Sequence, residues 1–216
     1  MDQEKYFYAI TSSKKFKNIR QQWLKNTWLK NLDYIFLSDI NEEDNIKLSN
    51  DSDYSSAEEK VLNGYVYLWE QKNNYDWFIF CDDDTFLNIK KLEDYIKTCN
   101  FSNFGYIFTK ENDPSNQIWQ KEGDDFKWYS GGAGYVLNKE TLKKIHNLRL
   151  DRKTGWSDAA TGHLLKKAGI TFNHCDKLNW HNAYTLRHDE EKIKQSISYH
   201  YIESEETMKY IYSITS

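Results

Sequence analysis

Three adjacent carboxylates, Asp82, Asp83 and Asp84, stand directly behind the apolar run Trp77-Phe78-Ile79-Phe80-Cys81. Carboxylates set side by side repel one another and gain nothing from packing alone. They become favourable when a hard divalent cation sits among them, because such ions choose oxygen ligands. A wholly apolar run bounded by charge reads as a strand buried on both faces. The triplet then lies at the C-terminal edge of a sheet, where open α/β sheets bind ligands. The same residues also fit a solvated turn after a strand, a place that Asp favours. The preceding run argues for the sheet edge.

The elements that must hold this edge alternate along the chain. Tyr6 to Ile10 is predicted as a first strand, and Ser12 and Ser13 offer caps for a helix with Phe16, Ile19, Trp23 and Trp28 at helical spacing. Tyr34 to Leu37 forms a second strand ending at Ser38-Asp39, followed by polar loop from Ile40 to Tyr54. Ser56 and Glu59 have the spacing of a capping box, and Ala57, Val61, Tyr65 and Leu68 line one helical face. Leu92, Tyr95, Ile96 and Cys99 mark the next helix, and Tyr106 to Phe108 a short strand. A long polar loop with the only proline, Pro114, runs from there through Lys127. Tyr135 to Leu137 is a strand, with Asn138 as cap of a helix bearing Leu142 and Ile145. Ser157 or Asp158 caps a helix through Leu164 and Leu165, and Gly169 stops it. Ile197, Tyr199 and Tyr201 alternate with Ser198 and His200, as in a strand with two different faces. Strands alternating with helices predict an α/β class. No repeat or linker divides the chain, so one domain is expected over residues 1–216.

The segment Trp77 to Phe86 resembles the DxD motif of the Fringe and mucin core galactosyltransferase family, inverting glycosyltransferases of the GT-A fold. There an apolar strand runs into DDD, a small polar residue and an aromatic. Three more segments resemble that family in the same order. Tyr129-Ser130-Gly131-Gly132-Ala133-Gly134-Tyr135 is similar to its GGAGY segment. Trp156-Ser157-Asp158-Ala159-Ala160-Thr161-Gly162 is similar to an acidic segment in which an Asp precedes a Gly by four positions. Ser196-Ile197-Ser198-Tyr199-His200-Tyr201 resembles the late strand that presents a second protein ligand to the metal. The similarity spans Tyr6 to His200. Trp180-His181-Asn182 resembles a further turn of the family, without assigned chemistry.

The resemblance implies a GT-A type single domain, a mixed central sheet flanked by helices with a Rossmann-like nucleotide-binding half. It implies that Asp84 and His200, the latter as neutral imidazole, ligate manganese. Mg2+ is the substitute, though imidazole beside carboxylates suits Mn2+ better. Asp82 and Asp83 are then expected to face the ribose, the sugar and metal-bound waters. Gly131 and Gly132 allow close approach of the donor. Asp158 takes the role of general base, with Ser157 standing where relatives usually carry a second acidic residue. Thr11 and Asp39 follow strand ends where the family grips the nucleotide, and Lys60 offers a phosphate contact. The implied partners are a UDP-sugar donor and a glycan or glycoprotein acceptor, with direct hexose transfer and inversion.

Composition bounds these expectations. Among 216 residues, 16 Tyr, 11 Phe and 8 Trp carry much of the apolar content, which favours a folded domain and suits stacking on bases and sugars. A net charge of -4 without a Lys/Arg block argues against a nucleic-acid partner. Cys81, Cys99 and Cys175 are odd in number and lack a close pair, which argues against a disulfide framework or a CxxC zinc site. His174, His181 and His188 recur every seven residues with Cys175 alongside, but no helix or strand reading of this stretch brings them onto one pole for a zinc site. Neither a leader nor a membrane-spanning run is present, so a soluble, cytoplasmic relative of bacterial or viral origin is expected. A metal-dependent nucleotidyltransferase or phosphohydrolase would also cluster Asp residues. The former usually brings an N-terminal Gly-rich phosphate loop, and no Gly precedes Gly64. A non-catalytic sugar-binding relative is the remaining alternative, against which Asp84, Asp158 and His200 argue jointly.

Overall fold

The apolar run at Trp77 becomes the central strand because both of its faces are covered. Phe78 and Phe80 pack on one side with Phe7, Ala9, Leu37, Val61 and Tyr65. Ile79 and Cys81 pack on the other with Tyr8, Ile10, Trp28 and Phe36. A strand covered twice has no polar face to alternate with, which is why it reads as continuous hydrophobic sequence.

The computed structural model describes residues 4–113, 118–182 and 189–215. In chain order its first half holds β1 (Tyr6–Thr11), α1 (Arg20–Lys25), β2 (Tyr34–Ser38), β3 (Asn45–Lys47), α2 (Ala57–Gln71), β4 (Trp77–Asp82), β5 (Phe86–Leu87), α3 (Ile89–Thr98) and β6 (Asn103–Gly105). Then follow β7 (Ile107–Phe108), α4 (Ile118–Glu122), β8 (Trp128–Tyr129), β9 (Tyr135–Asn138), α5 (Lys139–Ile145) and α6 (Ser157–Lys167). The chain continues with β10 (Leu178–Asn182), α7 (Glu190–Gln195), β11 (Ser198–His200) and α8 (Glu205–Thr215).

Six strands form the main sheet in the order β3-β2-β1-β4-β9-β6. The first four run parallel, whereas β9 runs antiparallel to both β4 and β6. This is a mixed α/β sheet with a Rossmann-like parallel half. A three-stranded sheet, β10-β11-β5, stands beside it, and β7 pairs with β8. Phe108, Ile118, Trp119, Phe126 and Trp128 make a smaller aromatic core around that pair.

Several local expectations are corrected. The polar loop after Asp39 contains β3, whose Asn45 side chain exchanges hydrogen bonds with that of buried Gln21. Ser12 and Ser13 make no helix cap; the Ser12 hydroxyl donates to Asp83 instead. Ser56 and Glu59 form no capping box, since Ser56 donates to the Asp53 carbonyl and Glu59 accepts from Ser49. Tyr106 to Phe108 is no single strand, because β6 and β7 lie in different sheets on either side of Tyr106. The loop up to Lys127 includes α4, and Pro114 lies outside the described residues. All three residues of β11 are buried, so its two faces do not differ in exposure. His174 accepts from the Ile107 amide, and His188 lies outside the described residues. Among the described residues no helix is long and apolar enough to cross a membrane.

Other signals translate directly. Asn138 caps α5 by accepting from the Thr141 amide. Gly169, at φ +66°, ends α6 with the Gly169 amide on the Lys166 carbonyl and the Ile170 amide on the Leu165 carbonyl. Gly162 has a packing reason: a Cβ there would stand 2.8 Å from the Lys127 carbonyl oxygen and 2.9 Å from Trp128 Cβ. The missing side chain lets α6 lie against β8. We therefore expect Gly162→Ala to destabilise the fold by about 1–2 kcal/mol, the backbone clash outweighing the ~1 kcal/mol that helix propensity favours Ala. Urea unfolding checks this, and a variant as stable as the parent refutes it.

Candidate functional site

The triplet leaves β4 at the height of Thr11, which pairs with Asp82 in the parallel register. The chain turns at once, and the three carboxylates part. Asp83 accepts from the Ser12 hydroxyl at 2.7 Å and from Arg20 at 3.0 Å. The Arg20 guanidinium also lies 3.4 Å from Asp84 and 4.3 Å above the Phe16 ring. Asp83 thus has protein partners on both oxygens while it lines the first cavity. Asp84 keeps Oδ2 near Arg20, while its Oδ1 and Asp82 Oδ2 turn to the other side.

There they meet His200, more than a hundred residues later. Immediately after the triplet, β5 pairs antiparallel with β11, Phe86 opposite Tyr199 and Leu87 opposite Ser198. The Ile202 amide then donates to the Asp84 carbonyl and closes the ladder around His200. His200 Nε2 lies 3.2 Å from Asp84 Oδ1 and 3.8 Å from Asp82 Oδ2. The Trp180 backbone hydrogen-bonds the imidazole, which holds the ring in place. Asp82, Asp84 and His200 each offer one ligand atom, all within 4.8 Å of one another. Asp84 Oδ1 is buried and accepts no well-aligned hydrogen bond despite the nearby imidazole. Two carboxylates, an imidazole and a buried oxygen left without a donor fit a divalent cation such as Mn2+. Asp82 therefore joins Asp84 and His200, the ligands that the resemblance implies, as a residue that could hold such an ion.

Glycines make room for this group. A Cβ on Gly132 would fall 2.0 Å from the His200 ring. Gly134 turns the chain at φ +87°, and Thr85 ties the turn to the triplet through the Gly132 carbonyl at 2.7 Å. The Gly131 amide donates to Asp158. Neither Ser157 nor Asp158 caps α6; Trp156 holds that position, and Asp158 sits in the first turn, accepting from the Ala159 amide at 2.9 Å.

Two adjoining cavities flank the cluster. The first, about 360 Å³, is lined by Thr11, Ser12, Lys15, Arg20, Lys60 and the triplet among others. The second, about 250 Å³, is lined by Asp158, Gly131, Gly132, Phe108, Trp128, Trp156 and Trp180 among others. Tyr54, Asp82, Ser157, His200 and Tyr201 line both. Of the expected binding residues, Gly131 and Gly132 border the second cavity and not the first. Asp39 lines neither: its carboxylate accepts from the Lys14 amide and faces Lys60 at 3.6 Å. It braces Lys60 from behind, while burial holds the Lys60 ammonium below the ordinary lysine range.

Crowded carboxylates set the electrostatics. Burial pushes Asp82 up to about 7, against the pull of His200. About a third of the Asp82 side chain opens to the cleft, and protein encloses the rest. Burial raises Asp83 to about 6 despite Ser12 and Arg20. Burial also raises Asp158 to about 6, against the amides of Ala159 and Gly131. Asp84 differs: burial works upward, yet His200 and Arg20 hold it below the ordinary range. Burial opposes charge on His200, but Asp84 and Asp82 outweigh it and raise its pKa. Such a cluster has an excess of negative charge that a divalent cation offsets.

The sequence missed Arg20, Trp180, Tyr54 and Tyr201 as members of the site. Arg20 carries no local signal, being brought in by packing, whereas Trp180 opens the Trp180-His181-Asn182 segment that resembles a turn of the family. Tyr54 is mostly exposed and Tyr201 nearly half exposed where they line both cavities, and Tyr201 sits at φ +56° directly after His200.

Comparison with known proteins agrees with this architecture. The crystal structure of a glycosyltransferase involved in the glycosylation of the major capsid of the virus PBCV-1 is similar, with a TM-score of 0.54 and 11% identity over 95% of this chain and 98% of that one. A mutant Drosophila beta1,4-galactosyltransferase 7, crystallised with manganese, UDP-Gal and xylobiose, is more distant at TM-score 0.45 and 15% identity, over 87% and 75% of the two chains. The likeness to the first structure and the strand order of the main sheet give this chain the fold of the GT-A glycosyltransferases. A family model described as Fringe-like matches residues 1–213. With nearly the whole length matched and the acidic, glycine-rich and histidine segments converging on one cleft, this chain belongs to the Fringe-like family.

Proposed function

We propose that residues 1–216 act as one catalytic unit, a Mn2+-dependent glycosyltransferase that moves a hexose from a UDP-sugar to a hydroxyl of a glycan or glycoprotein, with inversion. One observation carries this: two cavities meet at the Asp82, Asp84 and His200 cluster, and Asp158 lines the second. The first cavity has the cations Lys15, Arg20 and Lys60 beside the triplet, which suits a nucleoside diphosphate. The second is lined by the partly buried Trp156 and Trp180 and by the buried Phe108 and Trp128, an aromatic lining that suits a sugar.

Asp82, Asp84 and His200 would hold the cation, which when bound neutralises the diphosphate and the charge developing on departing UDP. Lys60, braced by Asp39, adds positive charge on the same side. Asp158 takes the proton from the acceptor hydroxyl as its oxygen attacks the anomeric carbon and the bond to the phosphate oxygen breaks. Attack from the face opposite to UDP inverts that centre, so no covalent intermediate with the protein forms. The amides of Gly131 and Ala159 favour the carboxylate form of Asp158 that this role requires.

Incubation with UDP-sugars, Mn2+ and a glycan acceptor should release UDP and extend the acceptor. Release of UTP on adding pyrophosphate would reveal a nucleotidyltransferase, and neither product a binding protein. Asp84→Ala should abolish Mn2+-dependent UDP binding by calorimetry. Asp158→Asn should keep that binding and lower transfer by roughly 10²–10⁴-fold; equal loss of binding in both variants rejects this division of roles. Gly132→Ala should weaken Mn2+ binding through displacement of the His200 ring, while Gly131→Ala, with 3.5 Å to Asp158 Cβ, should leave it intact. Because the base must be ionised, transfer at saturating Mn2+ should fall as the pH drops through about 6, the value to which burial raises Asp158. An acid limb near 4, where an ordinary carboxylate titrates, would exclude Asp158 as that base.

A further inference from the structure

Glu58 opens the first turn of α2 and is buried, yet among the described residues it forms no ion pair. Its carboxylate accepts from the Thr154 amide at 3.1 and 3.2 Å and from the Gly155 amide at 2.6 Å. The Thr154 hydroxyl lies 3.0 Å from Glu58 Oε2 and 2.7 Å from the Trp156 carbonyl, and accepts from the Trp156 amide at 3.1 Å. Gly155 stands at φ +87° with open space where a Cβ would point, so its glycine serves the turn and not the packing. A buried carboxylate without a cation is costly, and amide donors are what sustain it. An apolar residue would fill the same helix face without that cost. The charge organises a turn.

That turn leads into the site. Trp156 is the extended cap of α6, its carbonyl accepts the first helical bond from Ala160, and Asp158 follows two residues later. The same face of α2 supplies a second anchor seven residues on. The Tyr65 hydroxyl lies 2.7 Å from Thr161 Oγ1, which donates to the Ser157 carbonyl at 2.9 Å, and 2.6 Å from the Tyr135 hydroxyl. Glu58 thus holds the chain before Asp158, and Tyr65 holds it one turn after.

We propose that Glu58 is the positioning residue for Asp158, setting the direction in which its carboxylate enters the second cavity. This rests on the assignment of Asp158 as the base. The metal-binding group stands on β4 and β11, with no hydrogen bond to Glu58 among those described, so base placement and cation binding are separable.

The test compares the full-length chain with Glu58→Ala, Glu58→Gln and Thr154→Val. Steady-state transfer, Mn2+ and UDP affinity, and hydrogen exchange of the 154–161 amides are measured on each. Glu58→Ala should lower kcat by about 10–100-fold through misplacement of the reacting group. Its KM for the donor and its Mn2+ affinity should stay within about twofold, while the Thr154 and Gly155 amides exchange faster. Glu58→Gln keeps an acceptor oxygen at the same reach and should recover most of kcat. Thr154→Val, which removes the hydroxyl that donates to Glu58 and accepts from the Trp156 amide but keeps both amide donors to Glu58, should fall between the two and serves where Glu58→Ala fails to fold. Faster exchange with parental kcat, or a kcat loss matched by equal loss of Mn2+ affinity, overturns the proposal. A parent chain that transfers no sugar overturns the proposed function instead, and exchange protection then still decides whether Glu58 holds the turn.

Discussion

The pairing of β5 with β11 is the constraint on which the site depends. The two residues of β5 follow the acidic triplet after a single Thr, and β11 ends on His200. Antiparallel register therefore translates a sequence separation of more than a hundred residues into a contact of 3.2 Å. A slip of one residue would turn His200 to the opposite face. Bonds outside the strands pin the register from both ends, the Asn88 amide on the Ile197 carbonyl and the Ile202 amide on the Asp84 carbonyl. Loop-closure entropy opposes such distant pairing, and the apolar packing of Phe86, Leu87, Ile197, Tyr199 and Ile202 in one core offsets it.

Stability and chemistry pull apart at this cleft. Asp82, Asp83 and Asp158 bind protons more tightly in the folded chain than in the unfolded one. Their contribution to stability is present in acid and is lost as the pH rises through about 6 to 7. Asp84, held low, works in the reverse sense. Near neutral pH Asp83 and Asp158 are ionised and Asp82 partly so, against desolvation, and a cation bound by the folded state alone would offset their repulsion. Arg20 already offsets part of the charge on the Asp83 side.

Close approach is the second organising element. Gly132 admits the His200 ring, Gly162 lets α6 meet β8, and Gly64 lets α2 lie against Leu37, where a Cβ would stand 2.8 Å from a methyl carbon. These contacts draw α2, α6 and the glycine turn toward the end of β4. Glu58 then ties α2 to the turn before α6, and Tyr65 ties it to Thr161 within α6. The wall bearing Asp158 is thus built from helices, and the wall bearing the metal-binding group from strands.

The sequence by itself determined the buried central strand, the acidic edge behind it, the cap at Asn138, the stop at Gly169 and the α/β class. Each rests on an interaction within a few residues or on a hydrophobic period, and both are local properties of the chain. The resemblance of four ordered segments extended this to the company of Asp84, Asp158 and His200. Local pattern failed where distant partners compete for a side chain. Ser12 serves Asp83 and not a helix, Glu59 serves Ser49, and Asn45 enters a strand because Gln21 satisfies its amide. Only the tertiary structure decided that Asp82 turns to His200 while Asp83 turns to Arg20, since three neighbouring Asp residues look alike until a backbone turn separates them. It also decided that Asp39 braces Lys60 from outside the cavity and that Glu58 reaches the turn before Asp158. Those contacts span tens of residues, and no spacing in the chain encodes them.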